Sequence, residues 1–195
     1  MRHRQLQETP MEEPRPERFT ADEFIAWALE QPSGRYELHH GRIFAMAPER
    51  VNHARAKAQI WLALRAALAA RGLPCEAMPD GVTVRIDADT VYEPDALVRC
   101  GPPAPGDATE IDDPVILVEV VSPSSRGVDT GLKLARYFSL PSARHYLIVD
   151  TEGRGVTHHR REEDGTITAR ILRDGEIALD PPGVRVRVAD IFAGL

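Results

Sequence analysis

The chain has 195 residues, of which 43% are hydrophobic and 28% are charged, and its formal net charge is −6. This composition is typical of a globular protein with a buried core. The negative net charge disfavours a protein that binds nucleic acid over its whole surface. No apolar run approaches the about 20 residues needed to span a bilayer, and the N-terminus lacks the pattern of a secretory signal. We therefore expect a cytoplasmic protein that does not enter a membrane.

The two cysteines, Cys75 and Cys100, do not have the spacing of metal ligands. The histidine pairs at 39–40 and 158–159 also lack the spacing of a zinc site, and we assign them no role. Because the cytoplasm keeps thiols reduced, we expect both cysteines to be free.

The N-terminal segment differs in composition from the rest of the chain. Residues 1–18 carry four Arg and four Glu with several prolines and few apolar side chains. Such a segment cannot bury enough apolar surface to fold. We predict a mobile tail over residues 1–18 and a single domain over residues 19–195.

The first half of the domain alternates helices with a hairpin. Thr20 and Glu23 form a capping-box pattern, which predicts a short helix directly after Thr20. Residues 35–39 and 42–46 then read as the two strands of a hairpin. The longest helix is predicted over residues 52–71.

The segment that contains this long helix is basic and has no acidic residue. Its charged side chains are those of Arg50, Arg55, Lys57, Arg65 and Arg71. A basic helix on an acidic protein can hold a phosphate backbone, and this assigns Arg50, Arg55 and Lys57 to nucleic-acid binding. The alternative is a solvated helix face without a partner.

The second half reads as a series of strands around one helix. The segment Val115–Val121 is almost wholly apolar and β-branched, which predicts a central strand covered on both faces. The other predicted elements are strands over 75–78, 82–86, 92–99 and 144–151, a surface loop over 101–113 and a helix over 129–139. This order predicts a mixed α/β or α+β domain with a central sheet and at least one helix on each side. The unit from Val115 to Asp150 is expected to be a parallel crossover.

Three charged residues lie at the ends of these predicted elements. Glu119 interrupts the apolar central strand, where an ionised carboxylate needs a cation or hydrogen-bond donors. Asp95 begins a neighbouring apolar strand, and Lys133 lies on the following helix. Two carboxylates and a lysine can bind Mg²⁺ or Mn²⁺ and activate a water molecule. The alternative is that Asp95 ends a turn and that Asp129 and Lys133 form a surface ion pair.

Several motifs together resemble a known family. They are Pro94-Asp95, the run Glu119–Ser124, Asp129 with Lys133 and Tyr137, His145–Asp150, Tyr36-Glu37-Leu38 with Gly41, and Asn52-His53. In these motifs the chain resembles the Uma-two family of restriction-endonuclease-like proteins, within the PD-(D/E)XK nuclease superfamily. The resemblance covers most of the chain, from about Phe19 to Asp150. It implies a central mixed β-sheet flanked by helices.

The resemblance also implies roles for individual residues. Asp95 and Glu119 would be the metal ligands, and Glu37 would lie at the edge of the site, as a ligand through water or as a helper base. The superfamily pattern has a lysine two residues after the second acid, but this chain has Val121 there. Lys133 is the expected substitute, because a flexible ammonium side chain can reach the same space from another backbone position.

Other side chains near these motifs have weaker assignments. His53 could contact a phosphate or the attacking water, or cap the long helix. Ser122 and Ser124 could bind phosphate, although Ser-Pro-Ser is first of all a turn. Tyr137 is expected to pack in the core.

These observations support hypotheses from different classes. The first is a metal-dependent endonuclease that acts on DNA, for which a symmetric homodimer would suit the cleavage of both strands. The second is a catalytically inactive nuclease-fold module that binds nucleic acid or another partner, which Val121 and the acidic net charge favour. A third is a metal hydrolase of small phosphoesters, which the basic helix disfavours.

Overall fold

The computed structural model describes residues 18–121 and 129–195. The predicted tail apart from Arg18, the predicted phosphate contacts of Ser122 and Ser124, and the side chain of Asp129 lie outside the described residues. Among the described residues, no helix combines the length and apolar character that crossing a bilayer requires.

The described residues form helices and strands in the order that the sequence predicts, with additional short strands. The helices are α1 (Ala21–Leu29), α2 (Val51–Arg71), α3 (Asp129–Tyr137) and α4 (Val188–Ile191). The strands are β1 (Tyr36–His39), β2 (Arg42–Ala45), β3 (Cys75–Pro79), β4 (Thr83–Asp87), β5 (Thr90–Tyr92), β6 (Ala96–Cys100), β7 (Glu110–Ile111), β8 (Pro114–Val121), β9 (His145–Asp150), β10 (Gly155–Arg161), β11 (Ile167–Leu172), β12 (Glu176–Leu179) and β13 (Val184–Arg187). The mixed α+β class is therefore confirmed.

The strands are arranged in two larger sheets and a hairpin. The six-stranded sheet has the order β11-β10-β9-β8-β6-β3, and the five-stranded sheet has the order β2-β1-β5-β4-β7. Strands β12 and β13 form the separate hairpin. The prediction of one central sheet is thus incomplete, because the N-terminal hairpin strands join β5 and β4 in a second sheet instead of extending the first.

Strand β8 is the centre of the six-stranded sheet. It pairs antiparallel with β6 and parallel with β9, so the predicted parallel unit through α3 is confirmed. Val118 and Val120 pack into the core that α2 covers. Leu117 and Val121 pack into the core on the opposite face, which contains Tyr137 of α3. The apolar run is therefore buried on both faces, as its composition predicts.

Helix α2 lies along one face of this sheet. Its buried residues Ala56, Ile60, Leu64 and Leu68 recur every four positions and form one apolar stripe. The helix ends at Arg71, and Gly72 follows in the left-handed conformation with φ 59°. This is the backbone geometry that favours glycine after a helix.

The predicted strand over 92–99 is two strands. Tyr92 ends β5 in the five-stranded sheet, and Ala96 begins β6 in the six-stranded sheet. Pro94 lies between them and has no N–H to donate to a continuous ladder. The chain therefore changes sheets immediately before Asp95, which places this carboxylate at the junction of the two sheets.

The expectation that the cysteines are free thiols is wrong in this structure. Cys75 on β3 lies opposite Cys100 on β6, and the two residues form a disulfide with their Cα atoms 3.9 Å apart. The two cysteines are 25 residues apart in the sequence, and their pairing depends on the register of β3 against β6. The sequence alone therefore does not predict the disulfide. The disulfide therefore does not support the expectation of a reducing cytoplasm, on which the prediction of free thiols rested.

Candidate active site

Asp95 is fixed against the end of the central strand. Its backbone N–H donates to the carbonyl of Val118 over 2.9 Å, and its Oδ2 accepts a hydrogen bond from the N–H of Val120 over 2.6 Å. The residue is only 4% exposed. Backbone and side chain together therefore hold this carboxylate beside Glu119, which lies between the two contacted valines.

Glu119 meets two donors from α3. The Nζ of Lys133 lies 3.0 Å from Glu119 Oε1, and the hydroxyl of Tyr137 donates to the same oxygen over 2.7 Å. Lys133 and Tyr137 are four residues apart and so lie on one face of the helix. The structure thus brings Lys133 to the acid that the sequence assigns to it.

Glu37 reaches the same lysine from the five-stranded sheet. Its Oε1 lies 2.8 Å from the Nζ of Lys133 and also accepts the N–H of Glu93 over 2.9 Å. The Lys133 ammonium additionally lies 5.2 Å from the centre of the Tyr92 ring, within the range of a cation–π contact. Lys133 is therefore shared between carboxylates from β1 and β8.

Burial and neighbouring charges determine the protonation of this group. The pKa of the Glu119 carboxyl is raised to about 8. Burial is the largest cause and the charges of Asp95 and Glu37 add to it, whereas the Lys133 ammonium and the Tyr137 hydroxyl act in the opposite direction. Burial by itself lowers the pKa of Lys133, but the carboxylates of Glu119 and Glu37 outweigh this effect, so its pKa is raised. Lys133 is therefore a charged cation held among acids.

Two side chains of α2 approach Asp95 from the other face of the sheet. The Nε2 of His53 lies 2.7 Å from the carbonyl oxygen of Val120 and 3.6 Å from Asp95 Oδ2. The Nζ of Lys57 lies 3.1 Å from Asp95 Oδ1. His53 and Lys57 therefore lie on the site-facing side of α2, and the alternative in which His53 caps this helix is not found.

Lys57 does not belong to an exposed basic surface. It is 5% exposed, and its ammonium contacts Asp80 Oδ2 over 2.7 Å and the carboxylate of Glu49 in addition to Asp95. Arg35 contacts the same Glu49 and Asp80 carboxylates over 2.8 and 2.9 Å. This corrects the expectation that Lys57 lies on a helix face open to a phosphate backbone, because the carboxylates of Glu49, Asp80 and Asp95 surround its ammonium.

The two arginines assigned to nucleic-acid binding lie outside this cluster. Arg50 and Arg55 are exposed at the beginning of α2. The Nη1 of Arg50 lies 3.8 Å from Glu152, and the Nη1 of Arg55 lies 3.4 Å from the side-chain oxygen of Asn52. Their guanidinium groups remain accessible beside the turn that carries His53, and their binding role stays a prediction.

Sequence reasoning missed three members of the site. Glu49 precedes His53 by four residues, a spacing that places the two side chains together, and its Oε2 lies 3.6 Å from His53 Nδ1. Asp80 lies in the turn after β3, where an acid before glycine is an ordinary turn residue and gives no separate signal. Tyr137 is buried, as expected, but its hydroxyl also positions Glu119.

The donor set fits a hard divalent cation. One ligand atom from each of Glu49, His53 and Asp95 lies within 4.8 Å of the others, and the charge of Asp95 is near enough to raise the pKa of Glu119. Burial and mutual repulsion keep the Glu119 carboxyl difficult to ionise, and a bound cation would relieve that repulsion. Carboxylate oxygens with one imidazole are suitable ligands for Mg²⁺ or Mn²⁺.

Comparison with known proteins shows the fold and the family of this chain. The fold matches the crystal structure of a protein from Anabaena variabilis ATCC 29413 titled a putative nuclease, with a TM-score of 0.70 and 14% sequence identity, over 90% of this chain and 98% of that chain. The chain belongs to the Uma2 family, described as "Putative restriction endonuclease", whose model matches residues 21–190. It is also 25% identical over 180 residues to the uncharacterized protein slr1290 of Synechocystis sp., which covers 91% of this chain and 93% of the relative. The resemblance in the sequence motifs is therefore confirmed.

Proposed function

We propose that the protein is a metal-dependent endonuclease that hydrolyses phosphodiester bonds in DNA. The observation that carries this proposal is that Lys133 joins Glu37 and Glu119 beside the strand end that holds Asp95. Family membership and the nuclease fold support it. Four separate segments of the chain supply these side chains, so their convergence is a property of the fold.

Asp95 and Glu119 are the proposed ligands of Mg²⁺ or Mn²⁺, with the His53 imidazole beside them and Glu37 at the edge of the site. When bound, the cation would lower the pKa of a coordinated water and stabilise negative charge on the phosphate. Asp95 keeps its position through the N–H of Val120, and Glu119 keeps its position through Tyr137. The chain thus holds its ligands in place before any substrate binds.

Lys133 is the proposed replacement for the lysine that the superfamily pattern has at position 121. Val121 packs in the core, and the Lys133 ammonium lies beside Glu119 instead. A charged donor held at this point can orient the attacking water and stabilise charge on the phosphate oxygens. Lys133 therefore supplies the missing charge from α3.

Arg50 and Arg55 are the proposed DNA contacts, because they are exposed beside His53 and positive charge attracts the phosphate backbone. Ser122 and Ser124 follow the last residue of β8 and remain proposed phosphate ligands. Cleavage of both strands of a duplex would be served by a homodimer with two such sites.

The test is a nicking assay on supercoiled plasmid with Mg²⁺ or Mn²⁺. We expect cleavage that stops with EDTA and in the Glu119→Gln variant, which keeps the shape of the side chain and removes its charge. Glu163→Gln is the matched control, because Glu163 is an exposed acid in a distant turn. Cleavage that persists in Glu119→Gln would place the reaction elsewhere.

The alternative is an inactive nuclease-fold module, which the net charge of −6 and Val121 favour. A folded wild-type chain that cleaves neither plasmid nor single-stranded DNA and RNA with either ion would reject the endonuclease proposal. An electrophoretic shift of the same nucleic acids without cleavage would then support the binding module.

A further inference from the structure

We infer that the ammonium of Lys57 takes the place of a second divalent ion beside Asp95, so that the site binds one such ion and not two. This inference rests on the proposed function, because it concerns the same metal site. It assigns Lys57 a positioning role instead of the DNA contact that its sequence position suggests.

The ammonium of Lys57 is a buried cation surrounded by carboxylates. Its Nζ contacts the carboxylates of Glu49, Asp80 and Asp95, with distances of 2.7 Å to Asp80 and 3.1 Å to Asp95. An ammonium has three N–H donors, and here three carboxylates surround it. Several carboxylates around one buried charge are also the usual composition of a divalent-metal site.

Asp95 has its two oxygens directed to different partners. Oδ1 lies 3.1 Å from the Nζ of Lys57, whereas Oδ2 accepts the N–H of Val120 and lies 3.6 Å from His53 Nε2. In sites with two metal ions the ions lie roughly 3.5–4 Å apart, a distance that one bridging carboxylate can span. Because Lys57 already occupies the Oδ1 side, only the Oδ2 side, next to His53, remains for a metal ion.

Lys57 is held where a second ion could not readily displace it. The lysine is 5% exposed and follows Ala56, which lies on the buried stripe of α2. Displacing the ammonium would leave a buried cation without its acids, which is unfavourable. Arg35 also contacts Glu49 and Asp80, so two of the three carboxylates around Lys57 already have a second cation as a partner.

The experiment counts the ions bound per chain. The full chain is stripped with EDTA and titrated with Mn²⁺ by isothermal calorimetry, and electron paramagnetic resonance at the same loading detects pairs of neighbouring ions through their spin coupling. We expect one ion in the wild type and two coupled ions in Lys57→Met, because three carboxylates then lose their cation. Arg71→Met, which removes an exposed charge at the end of the same helix, is expected to bind one ion.

Each result has a definite meaning. A coupled pair in the wild type, or a single ion in folded Lys57→Met, would overturn the role of Lys57 and leave the nuclease proposal standing. No bound ion in the wild type would instead remove the metal-dependent function and the inference with it. If Lys57→Met does not fold, Lys57→Gln, which keeps N–H donors without the charge, replaces it with the same expected count of two.

Discussion

The ammonium of Lys133 lies 3.0 Å from the Oε1 of Glu119, although the two residues are 14 positions apart and belong to a helix and a strand. In the motif as usually written, lysine and acid are two residues apart on one strand. Here α3 follows β8 in the sequence and packs on the face of the sheet to which Glu119 points. We propose that Lys133 replaces the motif lysine from this different backbone position, and position 121 itself is occupied by the buried side chain of Val121.

Removing the Lys133 ammonium is expected to slow cleavage strongly while the protein still binds metal. Lys133→Met keeps much of the side-chain volume and removes the charge that would stabilise the phosphate, so the nicking rate should fall on the order of 100-fold. Single-turnover nicking at saturating Mn²⁺ measures this effect. Arg173→Met, at an exposed arginine, should leave the rate unchanged. A rate for Lys133→Met within threefold of the wild type would exclude Lys133 from the reaction.

Removing the Tyr137 hydroxyl is expected to make the position of the Glu119 side chain less fixed, while the ring of residue 137 still fills its place in the core. Tyr137→Phe keeps the ring contacts and deletes the 2.7 Å hydrogen bond to Oε1, which should lower the free energy of unfolding by about 1 kcal/mol. Because Glu119 then has one fixed donor fewer, more Mn²⁺ should be needed for half-maximal nicking. Urea unfolding and a Mn²⁺ dependence of the rate measure the two effects.

The control for Tyr137 is Tyr36→Phe, which deletes an exposed hydrogen bond to the carbonyl of Ser33. It should leave the Mn²⁺ requirement unchanged. If the Mn²⁺ requirement of Tyr137→Phe is also unchanged, the Tyr137 hydroxyl does not position Glu119 for metal binding, and the residue only packs in the core.

The parts of this structure that the sequence predicts are those that local patterns encode. The apolar run of β8 identifies a strand buried on both faces, and Thr20 with Glu23 forms the expected capping box at α1. The spacing of Lys133 and Tyr137 places both on one face of α3 before their partner is known. These features follow from periodicity and hydrogen-bonding capacity within a few neighbouring residues.

The parts that the sequence does not predict depend on long-range register. Lys57 follows a core position of α2, and a lysine there is expected to reach solvent unless acids from other segments are near. Those acids are Asp80, in the turn after β3, and Asp95, between β5 and β6. The division of residues 92–99 between two sheets depends in the same way on which strands pair, although Pro94 marks the point of division.

Because the histidine pair on β9 and β10 is buried, we predict that the protein loses stability in acid. His145 Nδ1 lies 2.9 Å from His158 Nε2, and His145 Nε2 lies 3.0 Å from the carbonyl oxygen of Pro181. Burial lowers the pKa of His145 to about 3 and that of His158 to about 4. The unfolded chain, with histidine pKa values near 6.5, therefore binds more protons than the folded chain in this range. The contribution of the two histidines to the free energy of unfolding should be fully present above about pH 6.5. Below that pH the free energy of unfolding should fall toward pH 4, by up to about 1.4 kcal/mol per pH unit for each histidine.

Urea unfolding between pH 7.5 and pH 4.5 measures this loss. The His145→Gln/His158→Gln variant keeps polar side chains that do not titrate, so its stability should depend less steeply on pH than that of the wild type. The carboxylates that titrate in the same range are common to both proteins, and the difference in slope isolates the histidines. Equal slopes would mean that the pair is not held neutral in the folded protein.

The disulfide between Cys75 and Cys100 is expected to stabilise the fold by limiting the unfolded chain. It joins residues 25 positions apart on β3 and β6, and closure of such a loop corresponds to about 3 kcal/mol of unfolding free energy. The oxidised chain should show no reactive thiol in a thiol assay under denaturing conditions, and two after reduction. Reduction should lower the urea midpoint of the wild type and leave that of Cys75→Ala/Cys100→Ala unchanged. Two reactive thiols in the protein purified without reductant would show that the cysteines are free. Strand β6, which begins beside Asp95, would then be held to β3 by hydrogen bonds and packing alone.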